Sequence, residues 1–488
     1  MRSDRTLVLG GAVVAALSFA PAAAEEPKEI FTWGADARLR EEVVTNVGLD
    51  DNVTNADRAF QRYRLRLWGK LAPTDDFEAN ARLMWEGRHY NEPDEDTWPV
   101  PGFETWYSGA VLFDALNLNF KRIGGSPLSL KVGRQDIIFG NGWLILDGTP
   151  LDGSRTIYFD AARATFAAED IGTTFDLIYV NNNADTDRFP QQLNDAIEDQ
   201  IEQDEQGLIL YARNKSLVKD WDLDGYFIYK DNDAQVYPDR CYGPPYDRCY
   251  PTLRINNGAP FNSPSDDGQV YTLGVRADGK LSPNWGVRAE AAGQWGDRSG
   301  TDSRGSELPS EDIGAFGFNG RLTYHFNDDL ANRLHLDFEF LSGDDPSTSK
   351  SEYFDPLWGR WPQWSELMIY QWPLDQRVGE ATNLKRLNFG WAAKVHPTTE
   401  VTLDYHALWA DEESTRLPAQ LVNISQDGSF RGHLFTGWVR TKLNKNVSGH
   451  LVAEYFDPGS FYADGSPKGK TYRQDDSIFF RAELNLTW

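Results

Sequence analysis

Arginine occurs at alternate positions along several short stretches of this sequence. Arg62, Arg64 and Arg66 follow this spacing, and Leu65 and Leu67 lie between them. In an extended chain alternate side chains point to opposite faces, so the three guanidinium groups would share one face. A guanidinium group binds a carboxylate through two parallel hydrogen bonds. The spacing therefore predicts a cationic surface that binds anions, and carboxylated ligands in particular.

Comparable polar faces recur along the chain. Acidic residues share these faces, and opposite charges on neighbouring strands stabilise a sheet, so structural ion pairing is the alternative role for each arginine. Arg62, Arg64 and Arg66 are the expected exception, because three arginines on one strand need more partners than its neighbours obviously offer. The predicted ligand contacts on these faces are Arg38, Arg40, Arg62, Arg64, Arg66, Arg82, Arg163, Arg276, Arg288, Arg321 and Arg386, and the same faces carry Lys121, Lys131, Lys394 and Arg440.

The elements that must position these side chains are strands with one polar and one apolar face. Leu334 and Leu336, for example, alternate with His335 and Asp337. We find about eighteen such segments of roughly ten residues, one of them at 110–122, which is typical of membrane barrels.

The connections between these segments alternate between short and long. Residues 72–76 and 397–399 form short connections, whereas 182–205 and 343–383 form long ones. Outer-membrane barrels have short periplasmic turns and long extracellular loops. The sequence therefore predicts an all-β fold, a transmembrane antiparallel β-barrel of about eighteen strands with an aqueous lumen.

Both ends of the chain have features of an exported protein. An apolar run at 7–19 follows a short basic region, and three alanines at 22–24 form a small-residue cleavage site. Residues 1–24 are therefore predicted to be a signal peptide and 25–488 a single barrel domain. The final alternating segment ends at Trp488, which resembles the signal read by the outer-membrane assembly machinery. We expect a bacterial outer-membrane location, with that machinery and membrane lipids as partners.

Composition and motif content exclude several other classes. The formal net charge is −26, and a strongly acidic protein rarely binds nucleic acid. Acidic runs such as 195–205 are interpreted as solvated loop surface. There is no Gly-x-Ser-x-Gly or His-Glu-x-x-His motif, and the histidines lack metal-ligand spacing, so we expect no catalytic site, metal or cofactor. Cys241 and Cys249 lie close together and are predicted to form a local disulfide.

Several short motifs resemble the alginate export family of outer-membrane barrels. They are Leu-Lys-Val-Gly-Arg-Gln at 130–135, Phe-Gly-Asn-Gly at 139–142, Phe-Asp-Ala-Ala-Arg at 159–163, Phe-Leu-Ser-Gly-Asp-Asp at 340–345 and Phe-Asp-Pro-Leu-Trp at 354–358. The resemblance implies a monomeric barrel of eighteen strands whose electropositive lumen passes a polyuronate. Arg134, at an expected strand end, is a further candidate substrate contact, and bracing the adjacent loop is its alternative role.

The leading functional hypothesis is a passive channel for an anionic polysaccharide or oligosaccharide. The alternatives are a general anion-preferring porin and an adhesin or structural barrel that acts through its long loops. The identity of the sugar and the choice between export and uptake stay open. The connection around Cys241 and Cys249 and the one at 343–383 are longer than strand pairing needs, so we expect at least one to fold into the pore as a gate.

Overall fold

Strands joined by turns and loops account for nearly all of the chain that the computed structural model describes. The described residues are 29–46, 49, 57–92, 105–146, 158–184, 189–194, 201, 204–233, 267–299, 309–345, 347–360, 362–375, 382–413, 428–462 and 474–488. The predicted signal peptide and the predicted disulfide between Cys241 and Cys249 lie outside these residues, so both remain predictions.

Eighteen β-strands and one α-helix form the regular structure of the described residues, apart from two short 3₁₀ turns. The helix, α1, spans Leu367–Asp375, and no described helix is long and apolar enough to cross a membrane. The strands are β1 (Phe31–Thr45), β2 (Arg58–Thr74), β3 (Phe77–Glu92), β4 (Trp106–Phe120), β5 (Leu128–Gln135), β6 (Phe159–Ala168), β7 (Thr173–Asn182), β8 (Glu205–Asn214), β9 (Trp221–Asn232), β10 (Asp267–Lys280), β11 (Trp285–Ser299), β12 (Glu311–His325), β13 (Arg333–Leu341), β14 (Leu384–His396), β15 (Thr399–Trp409), β16 (Phe430–Lys442), β17 (Val447–Pro458) and β18 (Ser477–Thr487).

The strands form one antiparallel sheet that closes on itself. Each strand pairs with its neighbours in the sequence, and β1 pairs with β2 on one side and with β18 on the other. A closed sheet leaves no unpaired edge, which a membrane-spanning sheet cannot tolerate. The predicted fold class and the predicted number of strands are confirmed.

The alternation of residue types separates a lipid face from a lumen face. Leu65 and Leu67 are 53% and 54% exposed on the outside of β2, whereas Arg62 on the other face is 7% exposed. Short turns such as Asp75–Asp76 lie at one end of the barrel, and long connections such as 342–383 lie at the other. By the rule for outer-membrane barrels, the short turns are periplasmic and the long loops extracellular.

The observed strand bounds differ from the predicted ones where bulges interrupt the alternation. β4 was predicted at 110–122 but begins at Trp106. The register between β3 and β4 shifts between Arg82 and Leu83 and again between Trp85 and Gly87. A bulge adds one unpaired residue and reverses the parity that follows it, so the start of β4 does not read as a strand in the sequence.

The first testable consequence concerns Gly133, which has a backbone conformation that favours glycine. Its φ is +112°, and a Cβ atom there would lie 2.3 Å from the carbonyl oxygen of Leu116. The change Gly133→Ala should destabilise the barrel by roughly 1–3 kcal/mol or more. Urea unfolding in detergent, followed by the mobility of unboiled protein on a gel, measures this loss. Gly225→Ala is the matched control, because nothing lies within 4 Å of a Cβ at that position. Equal unfolding midpoints for the two variants would contradict the interpretation.

Candidate functional site: the pore lining and its constriction

Two connections fold from the extracellular rim into the barrel. We call residues 136–146, between β5 and β6, the finger, and residues 351–360 and 362–375, between β13 and β14, the plug. Apolar side chains of both segments are buried in one cluster with wall residues of the lumen, and Trp358 of the plug is fully buried. Part of the connection at 343–383 lies inside the pore, which agrees with the expectation that at least one of the two long connections folds inward; its role as a gate stays a prediction. The other long connection, around Cys241 and Cys249, lies outside the described residues.

The finger contacts the lumen wall through the motif at 139–142. The Phe139 ring stacks on Tyr211 with 4.0 Å between centroids, and Asn141 Oδ1 accepts a hydrogen bond from Arg276 Nη2 at 3.2 Å. A Cβ atom at Gly140, which has a φ of +55°, would lie 2.9 Å from Arg276 Cδ. Trp143 Nε1 donates to Glu339 at 3.2 Å. These contacts fix the finger against strands β8, β10 and β13.

A buried wall carboxylate, Glu205 of β8, holds one end of the plug. Trp358 Nε1 donates to Glu205 Oε2 at 3.0 Å, and the Arg360 guanidinium donates to its other oxygen. Lys230 Nζ of β9 lies 3.2 Å from the same carboxylate and also donates to the carbonyl oxygen of Leu357. The carboxylate is therefore shared between the wall and the plug.

A second wall carboxylate, Glu454 of β17, binds the beginning of helix α1. It accepts hydrogen bonds from Ser365 Oγ at 2.5 Å, from Glu366 N at 2.9 Å and from Leu367 N at 3.1 Å. The first N–H groups of a helix have no partner within the helix and favour an anion. Further along α1, the Tyr370 hydroxyl donates to Glu42 of β1. The plug thus contacts β1, β8, β9 and β17 and crosses the lumen as a constriction.

The structure brings most of the predicted lumenal arginines into ion pairs. Eleven of the twelve predicted arginines have a carboxylate oxygen within 4.0 Å. The pairs are Arg38 and Arg40 with Glu483, Arg62 with Glu42, Arg64 and Arg66 with Asp36, Arg82 with Asp114, Arg134 with Asp160, Arg163 with Asp176, Arg276 with Asp224, Arg321 with Asp337 and Arg386 with Glu339.

The expectation that Arg62, Arg64 and Arg66 would lack partners is wrong. Asp36 of β1 lies 3.3 Å from Arg64 Nη2 and 2.8 Å from Arg66 Nε, and Glu42 of β1 lies 3.3 Å from Arg62 Nη1. The cause is the register of β1 against β2, which sets Asp36 opposite Arg66 and which strand parity alone does not reveal.

Arg134 has the contacts expected of a bracing residue. It donates to both carboxylate oxygens of Asp160, at 2.8 and 2.7 Å, and to the carbonyl oxygen of Phe113 at 3.1 Å. Its guanidinium carbon lies 3.5 Å from the centroid of the Tyr158 ring. The residue is 3% exposed, so its hydrogen bonds are directed at the protein.

Some lumenal cations have no carboxylate within 4.0 Å among the described residues. They include Lys131, Arg288, Lys394 and Arg440. All four lie toward the periplasmic ends of their strands. Arg288 alone among the twelve predicted arginines belongs to this group.

The nearest acids are occupied by other arginines, which leaves these cations without partners. Glu400 lies opposite both Lys394 and Arg440 in register, but Arg333 donates to both of its oxygens, at 2.9 and 3.1 Å. This planar bidentate pair fixes the Glu400 carboxylate on Arg333 and compensates much of its charge. The acids nearest to Arg288 are also paired with other arginines, because Arg321 donates to Asp337 and Arg276 donates to Asp278.

A cavity of about 380 Å³ lies below the plug, on its periplasmic side. Its lining includes Arg288 and Arg440, the plug residue Trp364 and the polar side chains of Asn319 and Thr402. A second cavity of about 470 Å³ adjoins it at the periplasmic mouth, and Glu400 and Arg440 line both. We call the two cavities together the vestibule. Its size falls in the range of small-ligand sites.

Sequence reasoning missed two of the carboxylates that anchor the plug, Glu205 and Glu42, whereas the parity of Glu454 places it in the lumen. Glu205 was assigned to the solvated acidic run at 195–205, but it begins β8 and is 1% exposed. Glu205 lies an even number of residues before Ile209 and Tyr211, which are also buried, and so shares their face of the strand. This spacing is the signal that would have placed it in the lumen. Glu42 was missed although it has the same parity as Arg38 and Arg40.

The described carboxylates are not arranged as a metal centre. No group of three or more His, Cys, Asp or Glu side chains in the described residues could hold a metal ion. In the extracellular connections, burial and the nearby Asp411 raise the pKa of Glu412, and a hydrogen bond with Ser347 lowers the pKa of Asp345. The arrangement as a whole can conduct and bind solutes.

The closed barrel with short periplasmic turns and an interior lined by charged side chains defines an outer-membrane channel. Three solved structures have a similar fold over almost the whole chain. OccK9 (OpdG) of Pseudomonas aeruginosa is 10% identical with a TM-score of 0.52, and the match covers 94% of this chain and 98% of that one. OccAB2 of Acinetobacter baumannii is 10% identical with a TM-score of 0.51, covering 93% and 98%. The outer membrane protein OprD of P. aeruginosa is 9% identical with a TM-score of 0.50, covering 93% and 94%.

Residues 31–475 match the alginate export family, so the chain belongs to that family. The predicted family and the predicted location in the bacterial outer membrane are confirmed. No curated protein sequence matches the chain. The family and the fold are those of channel proteins and not of enzymes.

The plug yields a prediction about conductance. Removing residues 350–380 should raise the single-channel conductance of the purified barrel in a planar bilayer roughly twofold or more, because the constriction is lost. Lys350→Ala, a change to an exposed side chain of the same connection, is the control and should leave the conductance unchanged. If the deletion fails to assemble, Trp358→Ala tests the same point by removing the indole that binds Glu205. An assembled deletion variant with unchanged conductance would contradict a constricting role.

Proposed function

We propose that this outer-membrane channel passes an anionic polysaccharide or oligosaccharide, of the alginate-like polyuronate class, by passive transport. The observation that carries the proposal is the charge imbalance of the vestibule. Arg288, Lys394 and Arg440 have no carboxylate partner in the described residues, whereas Asp337 and Glu400 beside them are each held by another arginine.

Unpartnered cations decide the sign of the potential in a pore. The field of an ion pair falls off quickly because its two charges largely cancel, but the field of a lone guanidinium or ammonium group extends into the water. Basic groups that line a pore select for anions. The vestibule should therefore attract carboxylates even though the whole chain carries a net charge of −26.

The other groups of the vestibule suit a sugar. Asn319, Thr402 and Thr436 offer amide and hydroxyl groups that can exchange hydrogen bonds with sugar hydroxyls, and Trp364 and Trp438 offer aromatic surface. Several weak contacts of this kind let a polymer slide where one strong contact would hold it. Membership of the alginate export family supports the same class of substrate.

One observation favours a second candidate, a barrel that acts through its extracellular loops. The finger and the plug fill much of the outer half of the lumen, as an adhesin or structural barrel would permit. A general anion-preferring porin is the nearer alternative within the channel class. Current through the barrel distinguishes the proposed channel from an adhesin or structural barrel. Block by oligouronate distinguishes it from a general anion-preferring porin.

The test measures ion selectivity and oligouronate block of the purified channel in a planar bilayer. The wild type should be anion-selective and blocked by oligouronate. The triple change Arg288→Gln, Lys394→Gln and Arg440→Gln should shift the reversal potential toward cations and weaken the block about tenfold or more, since each loses a charge-assisted contact.

Two further variants serve as controls for this test. Lys219→Gln removes one positive charge from an exposed periplasmic turn and should change neither reading. Changing Arg62, Arg64 and Arg66 to Ser should mainly reduce the yield of folded barrel, because it leaves Asp36 and Glu42 without cations. Cation-selective current with no block of the wild type would overturn the proposed function.

A further inference from the structure

We infer that Arg440 forms a carboxylate-binding subsite of the vestibule, specific for a uronate residue that arrives from the periplasmic side. The inference rests on the proposed function and adds a location, a geometry and a side. It is supported by the contact of Arg440 with Trp438, by the lack of a carboxylate partner for Arg440, and by its place in the lining of both cavities.

The Arg440 guanidinium lies over the ring of an aromatic side chain of its own strand. Its guanidinium carbon lies 3.9 Å from the centroid of the Trp438 ring, and the His450 ring of the neighbouring strand lies 5.1 Å from the same indole. A guanidinium stacked by its face keeps its N–H groups free at the edge. That edge is the part of arginine that binds a carboxylate through two hydrogen bonds.

The charge of Arg440 is available although an acid lies on the next strand. Glu400 is its partner in the register of β15 and β16, but both Glu400 oxygens accept hydrogen bonds from Arg333. The Arg440 side chain has no hydrogen bond or ion pair to any described residue, and the residue is exposed. An incoming carboxylate therefore displaces water from Arg440 and does not displace a protein carboxylate.

Hydroxyl and cationic groups line the same two cavities as Arg440. Thr402 lines the chamber below the plug, and Ser448 lines the cavity at the periplasmic mouth. Lys394 and Lys442 also line it. A uronate presents a carboxylate and several hydroxyls on one ring, which matches a planar cation set among hydroxyls. A simple inorganic anion would use the charge but not the hydroxyls.

The position of Arg440 gives the subsite a side. It lines both cavities of the vestibule, so it lies where the open mouth meets the chamber below the plug. A chain entering from the periplasm reaches Arg440 before it reaches the constriction.

The buried cations beside the plug in the extracellular half differ from Arg440. Two of them already face protein carboxylates: Arg298 lies 3.6 Å from Asp355, and Lys230 lies 3.2 Å from Glu205. A ligand carboxylate there would have to break a buried pair and leave an uncompensated charge, which is costly. Binding should therefore be concentrated on the periplasmic side.

The decisive variant is Arg440→Lys, which keeps the charge and removes the planar edge. We expect the anion selectivity of the channel to stay unchanged, while block by oligouronate added on the periplasmic side weakens about ten- to hundredfold. Arg122→Lys, the same exchange at an exposed periplasmic turn, is the matched control and should leave the block unchanged. The insertion direction is checked by protease cleavage of the long loops from one chamber.

Trp438 is a positioning residue in this scheme and has its own test. Trp438→Leu should weaken the periplasmic block in the same way as Arg440→Lys, and Trp438→Tyr should restore it, because a tyrosine ring also stacks on a guanidinium. A purely structural role for the indole would lower the yield of barrel and leave the block of the assembled channels as it was.

The possible failures are distinguishable. Equal block from both sides, unaffected by Arg440→Lys in a channel whose wild type is blocked, would overturn the subsite and leave the proposed function standing. A wild-type channel that oligouronate does not block from either side would overturn the proposed function and the subsite with it.

Discussion

Closure of the sheet between β1 and β18 is the constraint on which the rest of the structure depends. In lipid no water can satisfy an unpaired strand edge, so the first and last strands must pair along most of their length. Their register joins Asp36 to Thr487 and Thr45 to Ile478. Closure then fixes one face of every strand toward lipid and one toward the lumen. All the charge that the strands carry must be accommodated inside, which is why ion pairs are so dense there.

Dense pairing explains how the wall of the lumen fixes the position of the plug. Glu205 and Glu454 accept hydrogen bonds from the plug, and Glu205 also has a cation from the wall itself, Lys230. Water can replace lost hydrogen bonds at such carboxylates, whereas an exposed apolar wall would have no replacement. The buried apolar side chains of the plug favour the closed arrangement, and the polar anchors fix where it lies. A connection held this way differs from the finger, whose Gly140 lies tightly against Arg276.

The strands can be predicted from the sequence because lipid and water impose opposite polarity on alternate residues. The register between neighbouring strands cannot be predicted in this way. Parity placed Arg62, Arg64 and Arg66 in the lumen, but only the pairing of β1 with β2 showed Asp36 and Glu42 beside them. The length of the connection at 343–383 predicted inward folding, yet the wall residues that receive it come from distant strands. Partners separated by hundreds of residues cannot be inferred from local spacing.

The charge of a lumen is decided by geometry more than by composition. A carboxylate bound on both oxygens by one arginine is held in a fixed planar pair, and much of its charge is compensated there. Asp337 and Glu400 are bound in this way. The positive charges of the neighbouring Arg288, Lys394 and Arg440 are therefore not cancelled by an ion pair, although acids lie on adjacent strands. An acidic chain can therefore maintain a cationic vestibule, because basic side chains outnumber acidic ones in the lining of its two cavities. Replacing either bidentate arginine by lysine would keep that balance of charge, but would remove the planar pair that holds the carboxylate in place.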